Sequence, residues 1–314
     1  SDLAMRRAEA VGGVIVNADS QQLYDGLRVL TARPSPADEA TVPHRLYGIA
    51  DPADSWSVGR WLTAVEEIQA AESRPLVIVG GTGLYFHALL KGLAPVPPVS
   101  EDIRRDVEAT YRTAGEAAFR RHLADLDPAA ETRIAAGDRQ RLVRALAVAV
   151  STGRPLSDWQ ADTVTGTLRA EDCERWVVER ERSDLYRRCD DRVDQMLATG
   201  AIAEVKGLLE RNLAAELPAM RAVGRRSRAQ AWAVAAGLVA VWYLLAQAFS
   251  AWVLGVAPGR EAWLRDLVAH LREGLPLDVA QARIKQATRH YAKRQLTWFR
   301  NQAPDWPRLD LSEL

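Results

Sequence analysis

Gly13-Val14-Ile15-Val16-Asn17-Ala18-Asp19-Ser20 and Pro75-Leu76-Val77-Ile78-Val79-Gly80-Gly81-Thr82-Gly83 are the two stretches that decide how this chain folds. Each is a short apolar run that stops at a polar or glycine-rich turn, the pattern of a strand buried in a parallel sheet. Between them, Ser57 to Ala71 carries Leu62, Val65, Ile68 and Ala71 at helical spacing. Strand, helix, strand is the α/β order. In open sheets of this kind ligands bind beyond the carboxyl ends of the strands, which is where Asp19 and Thr82 fall.

Working outward, Leu3, Met5 and Ala8 among Arg and Glu predict a first helix with no strand ahead of it, as expected of a truncated start. Ser1 to Ala10 has no apolar h-region and is not a signal peptide. Pro95-Val96-Pro97-Pro98 interrupts the α/β pattern. From Ser100 to Gly153 the chain reads as helix, with Ser100 and Asp138 as caps and Gly153 before Pro155 as a stop. The helix after Asp138 sets Leu142 and Leu146 on one face, Gln140 and Arg144 on another. Arg175 to Val178 predicts a return to the sheet, and Ser183 to about Ala198 a charged helix. A carboxyl-terminal helix is expected from Asp278, with Gln281 completing a capping box, towards Phe299. The expected organisation is an α/β core over 1–97, a helical insertion over 98–174, and a return to the core over 175–314, interrupted by an apolar block at 225–257.

Nearly half of the 314 residues are apolar, enough for a large core. Lys plus Arg equals Asp plus Glu, 41 each, so nucleic-acid binding would need a local basic face. Cys173 and Cys189 are too few for a disulfide framework, and the five histidines lack metal-site spacing. A reducing, cytoplasmic setting without a structural metal follows from these counts.

Asp19 follows directly on a buried strand, a setting that suits a base or a magnesium ligand and equally a helix cap. The glycines at 80, 81 and 83 allow close approach of a ligand to the backbone, and a tight turn needs them just as much. Between Asp278 and Asp305 there is no acid. Lys285, Arg289 and Lys293 form one stripe of that helix; Ile284, Thr288, Tyr291, Gln295 and Trp298 form a less polar one. Such a helix can be a solvated face, or can pack on one side and meet phosphate on the other, with Tyr291, Trp298 and Phe299 for base stacking.

Six strings carry a family resemblance: VNADSQQLY (Val16 to Tyr24), RPSPADEATVPHRLYGIADP (Arg33 to Pro52), VGGTGLYFHALLKGLAPVPP (Val79 to Pro98), DRQRLVRAL (Asp138 to Leu146), PAMRAVG (Pro218 to Gly224) and ATRHYAKRQLTWFRNQ (Ala287 to Gln302). In this order they resemble the tRNA dimethylallyltransferase, or tRNA isopentenyltransferase, family. The resemblance implies a P-loop-NTPase-like parallel sheet with a helical insertion that grips the tRNA anticodon stem-loop. It implies transfer of a dimethylallyl group from dimethylallyl diphosphate to the exocyclic amine of the adenosine 3′ of the anticodon, with Mg2+ as cofactor. By the same resemblance Asp19 is the general base, with Thr82 beside it as a second catalytic position. Asp19, Ser20, Gln21, Gln22, Thr82, Arg104, Gln140, Arg141, Leu142, Val143, Arg144, Lys293, Arg294, Gln295 and Trp298 match tRNA-contacting positions. Arg221 matches a diphosphate-binding arginine. No obligate protein partner is implied.

The chain departs from the family pattern twice. The family's P-loop belongs just before the first helix, where this chain begins, so Ser1 is read as its last hydroxyl, touching diphosphate and Mg2+. Without that loop the sequence predicts weak binding of dimethylallyl diphosphate and little turnover. Secondly, 229–259 holds no charge and exceeds the roughly 20 apolar residues a membrane span needs. A membrane span over 229–257, a buried helical pair and an accidental insertion all account for it; removing Arg225 to Gly255 would restore a family-like AVGV. A non-catalytic anticodon-loop binder is the alternative to the enzyme, and a small-molecule kinase a third reading that leaves the basic helix unexplained.

Overall fold

The structure, a computed structural model, describes residues 2–162, 165–213, 217–221 and 261–310. They fall into two compact units, one running to Leu90 and resuming at Thr167, the other spanning Lys91–Gly166. The breaks therefore lie earlier than the expected 97 and 174.

The α/β unit opens with α1 (Asp2–Val11), β1 (Val14–Asn17), α2 (Arg28–Thr31), α3 (Pro36–Thr41), β2 (His44–Arg45), α4 (Val58–Ala71), β3 (Leu76–Val79) and α5 (Gly83–Lys91). The strands lie in the order β2-β1-β3, all parallel, with Val14 to Asn17 in register with Leu76 to Val79. Successive side chains point to opposite faces. Val16, Leu76 and Ile78 join a core with Trp61, Tyr85 and Leu89, while Ile15, Val77 and Val79 pack with Ala4, Ala8 and Val42. Both faces are thus covered, as a parallel sheet requires. The core of α4 is Trp61 and Val65; Leu62 and Ile68 are half-buried and Ala71 is exposed.

The second unit is helical: α6 (Glu101–Leu126), α7 (Pro128–Arg133), α8 (Arg139–Thr152) and α9 (Leu156–Ala161). Ser100 and Asp138 cap α6 and α8 by accepting the N–H of Ile103 and Arg141. Gly153 ends α8 in the left-handed conformation, φ 68°. Phe119, Leu123, Leu142, Leu146 and Val148 form the core between them.

The α/β unit resumes with β4 (Val177–Glu179), α10 (Arg182–Ala198), α11 (Ala201–Glu210), α12 (Pro218–Arg221), α13 (Glu261–Glu273), α14 (Leu277–Gln302) and β5 (Arg308–Asp310). Among the described residues the expected return to the first sheet is not seen: β4 pairs in parallel with β5 as a separate two-stranded sheet. The helix α14 starts behind Pro276 without a side-chain cap, so the capping box read at Asp278 is absent. Gln281 instead donates to Asp194 Oδ1 at 2.6 Å.

Ser1 and the apolar block at 225–257 lie outside the described residues. Among the described residues no helix is long and apolar enough to cross a membrane.

Candidate active site

The carboxyl end of β1 is held by a dense set of hydrogen bonds. Asn17, fully buried, accepts the N–H of Asp19 at 2.8 Å and donates from Nδ2 to the carbonyls of Asp19 and Leu46, both at 2.9 Å. Trp61 Nε1 donates to the Asn17 carbonyl at 2.8 Å, and the Trp61 indole stacks on Tyr85 with ring centroids 4.3 Å apart. Asp19 is 5% exposed, and its Oδ1 accepts the N–H of Gln21 at 2.9 Å. Its negative charge reaches two phenols. Tyr47 is pushed above the ordinary tyrosine range by burial and then by Asp19; Tyr85 is pushed up by burial, then Tyr24, then Asp19.

The turn after β3 closes on this tip. Thr82 donates its N–H to the Ala18 carbonyl at 3.1 Å, and its Oγ1 accepts the N–H of Ser20 at 3.0 Å. A Cβ at Gly80 would overlap the Ala18 backbone; one at Gly81 or Gly83 would overlap the Gln295 amide or the Trp298 indole. The glycines are needed because α14 and β1 press on the turn from two sides. Gln295 Nε2 donates to the Gly81 carbonyl at 3.0 Å and to the Tyr291 hydroxyl at 2.9 Å. Asp19, Ser20, Gln21, Thr82, Gln295 and Trp298 therefore meet at one end of the sheet, with Ser20, Gln21 and Thr82 half-buried around the carboxylate. The Gln21 Oε1 is buried and takes no hydrogen bond among the described residues, an acceptor placed for an incoming donor.

Other expected contacts are engaged elsewhere. Gln22 Nε2 donates to the carbonyls of Thr31 and Ala32, at 2.9 and 3.1 Å, tying down the end of α2. Leu142 and Val143 are buried, 0% and 7% exposed, in the core of the helical unit. Their side chains hold the helix together, which corrects their reading as RNA contacts. Gln140, Arg141 and Arg144 stand on the exposed side of the same helix. Burial first, and the neighbouring charge of Arg104 second, hold the Arg144 guanidinium below the usual arginine range. Arg104 itself pairs with Glu101 at 3.1 Å.

The basic stripe on α14 is also corrected. Lys285 Nζ reaches Asp194 at 2.6 Å and Arg289 Nε reaches Asp190 at 2.9 Å, so both charges are paired with α10. Lys293 remains exposed. Arg294 sits over the Tyr291 ring at 5.9 Å. Ile284 and Thr288 are buried as the apolar stripe predicts. Phe299, half-buried, packs against Phe86 and Trp306.

The chain matches the family model described as IPP transferase over residues 22–251 and 260–302. The chain belongs to the IPP transferase family. It is similar to a tRNA dimethylallyltransferase of Phenylobacterium zucineum (strain HLK1), 47% identical over 98% of this chain and 88% of the relative. A tRNA dimethylallyltransferase of Caulobacter sp. (strain K31) is 46% identical over 99% and 88%. Among solved structures it resembles a tRNA delta(2)-isopentenylpyrophosphate transferase from Staphylococcus epidermidis, 25% identical with a TM-score of 0.59, covering 100% of this chain and 89% of the other. A eukaryotic dimethylallyltransferase acting on tRNA shares the fold, with a TM-score of 0.69 at 21% identity, covering 98% of this chain and 70% of the other.

The match to the IPP transferase family runs through 225–251, so the apolar stretch is not set apart from the family by this comparison. Arg221 ends α12, and its side chain lies outside the described residues. Among the described residues no group of three or more His, Cys, Asp or Glu could hold a metal ion, and they offer no protein cage for Mg2+. Sequence reasoning passed over Asn17, Leu46, Trp61 and Tyr47 at this IPP transferase site. Asn17 was legible, being a side chain that commonly bonds the backbone two residues on, whereas nothing local marks the other three.

Proposed function

We propose that the chain transfers a dimethylallyl group from dimethylallyl diphosphate to the exocyclic amine of the adenosine 3′ of the anticodon in tRNA. The relatives' name supports this reading, and one observation carries it. The Asp19 carboxylate is fixed at the tip of β1, with Ser20, Gln21 and Thr82 around it.

An adenine amine is a weak nucleophile because its lone pair is delocalised into the ring, so the proton must leave as the N–C bond forms. Asp19 accepts that proton while the allylic C–O bond breaks and diphosphate departs. Gln21 Oε1 takes the second amine hydrogen and orients the nitrogen. The base reaches the site only after leaving its stack. Arg104, Arg144, Gln140 and Arg141 bind the phosphates and edges of the stem-loop from the helical unit, and Lys293 and Arg294 do so from α14. Mg2+ belongs to this reading only as a companion of the diphosphate, and none of these steps passes through it. A cytoplasmic reaction suits two cysteines that are unbridged.

A gel shift with anticodon stem-loop RNA at two salt concentrations tests the reading, followed by mass analysis of the RNA after incubation with dimethylallyl diphosphate and Mg2+. Binding that weakens as salt rises, with addition of a dimethylallyl group, is expected. No binding at low salt would overturn it.

A further inference from the structure

We propose that Asn17 is the positioning residue of Asp19, the side chain that sets the carboxylate's direction toward the target amine; this rests on the function proposed above. Three backbone groups from two segments converge on its amide. Oδ1 holds the Asp19 N–H, and Nδ2 holds the Asp19 carbonyl and, across the sheet, the carbonyl of Leu46. Both peptide groups flanking the Asp19 Cα are therefore tied to one side chain, and little rotation of the carboxylate-bearing residue is left. The amide is itself fixed within a buried residue whose own carbonyl is held by Trp61.

Leu46 supplies a second, independent observation. It is a non-glycine residue at φ 63°, 6% exposed, in a conformation that strains a γ-branched side chain. Such strain persists where the surroundings over-determine it, and the bond from Asn17 is what holds that carbonyl. Leu46 directly precedes Tyr47, whose phenol senses the Asp19 charge. Among the groups that the Asp19 charge acts on are Tyr47, from the segment after β2, and Tyr85, from α5. Asn17 links the strained turn that carries Tyr47 to the carboxylate that Tyr47 faces. An asparagine suits this position because only a side chain that both accepts and donates meets an N–H and two carbonyls at once.

The test compares the full chain's affinity for two anticodon stem-loop RNAs, one with adenosine and one with purine riboside, which lacks the amine, at the target position. The unaltered chain should favour adenosine by about tenfold, the scale of one charge-assisted hydrogen bond. Asn17→Ala should bind the purine-bearing RNA as the unaltered chain does and lose the preference. Asn17→Ser, whose hydroxyl still accepts from the N–H two residues on but has one hydrogen for two carbonyls, should keep only part of it. A purely structural role would instead weaken both RNAs together. If Asn17→Ala fails to fold, the isosteric Asn17→Asp is read in its place; it lacks both donated bonds and should lower the preference at least about threefold. A folded Asn17→Ala, or Asn17→Asp in its place, that retains the full preference overturns the proposal. No binding of either RNA by the unaltered chain would instead sink the functional reading on which it rests.

Discussion

Gln295 on the carboxyl-terminal helix donates to the carbonyl of Gly81, 3.0 Å away and 214 residues earlier in the chain. The next residue, Thr82, bonds Ala18 and Ser20 on either side of Asp19. The carboxyl-terminal helix is therefore built into the turn that shapes the carboxylate's surroundings.

That packing sets a graded cost for enlarging the turn. Gly81→Ala meets the end of a flexible glutamine, which can swing away at the loss of its hydrogen bond. Gly83→Ala meets an indole, and Gly80→Ala meets the backbone of Ala18. Overpacking costs about 1 to 3 kcal/mol, so denaturant unfolding should rank Gly81→Ala as the mildest and Gly80→Ala as the most severe. Equal stability of all three would contradict the packing described.

The two faces of α8 should separate stability from binding. Leu142→Ala opens a cavity in the helical core and should cost about 2 to 5 kcal/mol. Arg144→Ala should leave the unfolding midpoint nearly unchanged and weaken stem-loop binding. Unfolding curves and gel shifts on the two variants check this, and an Arg144→Ala variant that binds normally would count against an RNA contact there.

The ion pairs on α14 predict which basic residues govern salt dependence. Lys285 and Arg289 are neutralised by Asp194 and Asp190, so removing either should barely alter the slope of log affinity against log salt. Lys293→Ala should reduce that slope by about 0.7 to 0.9, the release of one phosphate counterion. Identical slopes for all three variants would refute the assignment.

Glu116 gives the pH dependence of the helical unit. The Gly137 N–H holds its carboxyl below the usual range, against burial and with help from Arg120 and Tyr111. A depressed carboxyl pKa contributes stability above its unfolded value, about 4.3, and loses it as pH falls through the folded value. Glu116→Gln should therefore be less stable than the unaltered chain by about 1 to 2 kcal/mol at neutral pH. The gap should close below about pH 4; a constant gap from pH 7 to pH 3 would be the contrary result.

Local signals account for what the sequence revealed. The caps Ser100 and Asp138, with Gly153 as the stop, mark helix ends by short-range hydrogen bonding, and the structure places them so. The strands β1 and β3 are long enough to show as apolar runs, whereas two-residue β2 carries no period at all. The stripe on α14 misled because its partners, Asp190 and Asp194, are remote in sequence and meet it only through folding. Leu142 and Val143 were drawn into the RNA set because a resemblance spans whole strings, while burial separates neighbours within one helix.

The account's central claim is that the Asp19 carboxylate takes the amine proton. Single-turnover transfer, with protein in excess over anticodon stem-loop RNA and dimethylallyl diphosphate and Mg2+ present, tests it most directly. With both proteins saturated by RNA, product should form with the unaltered chain at least about 100-fold faster than with Asp19→Asn, the lower end of general-base catalysis. Equal rates for the two would contradict the claim.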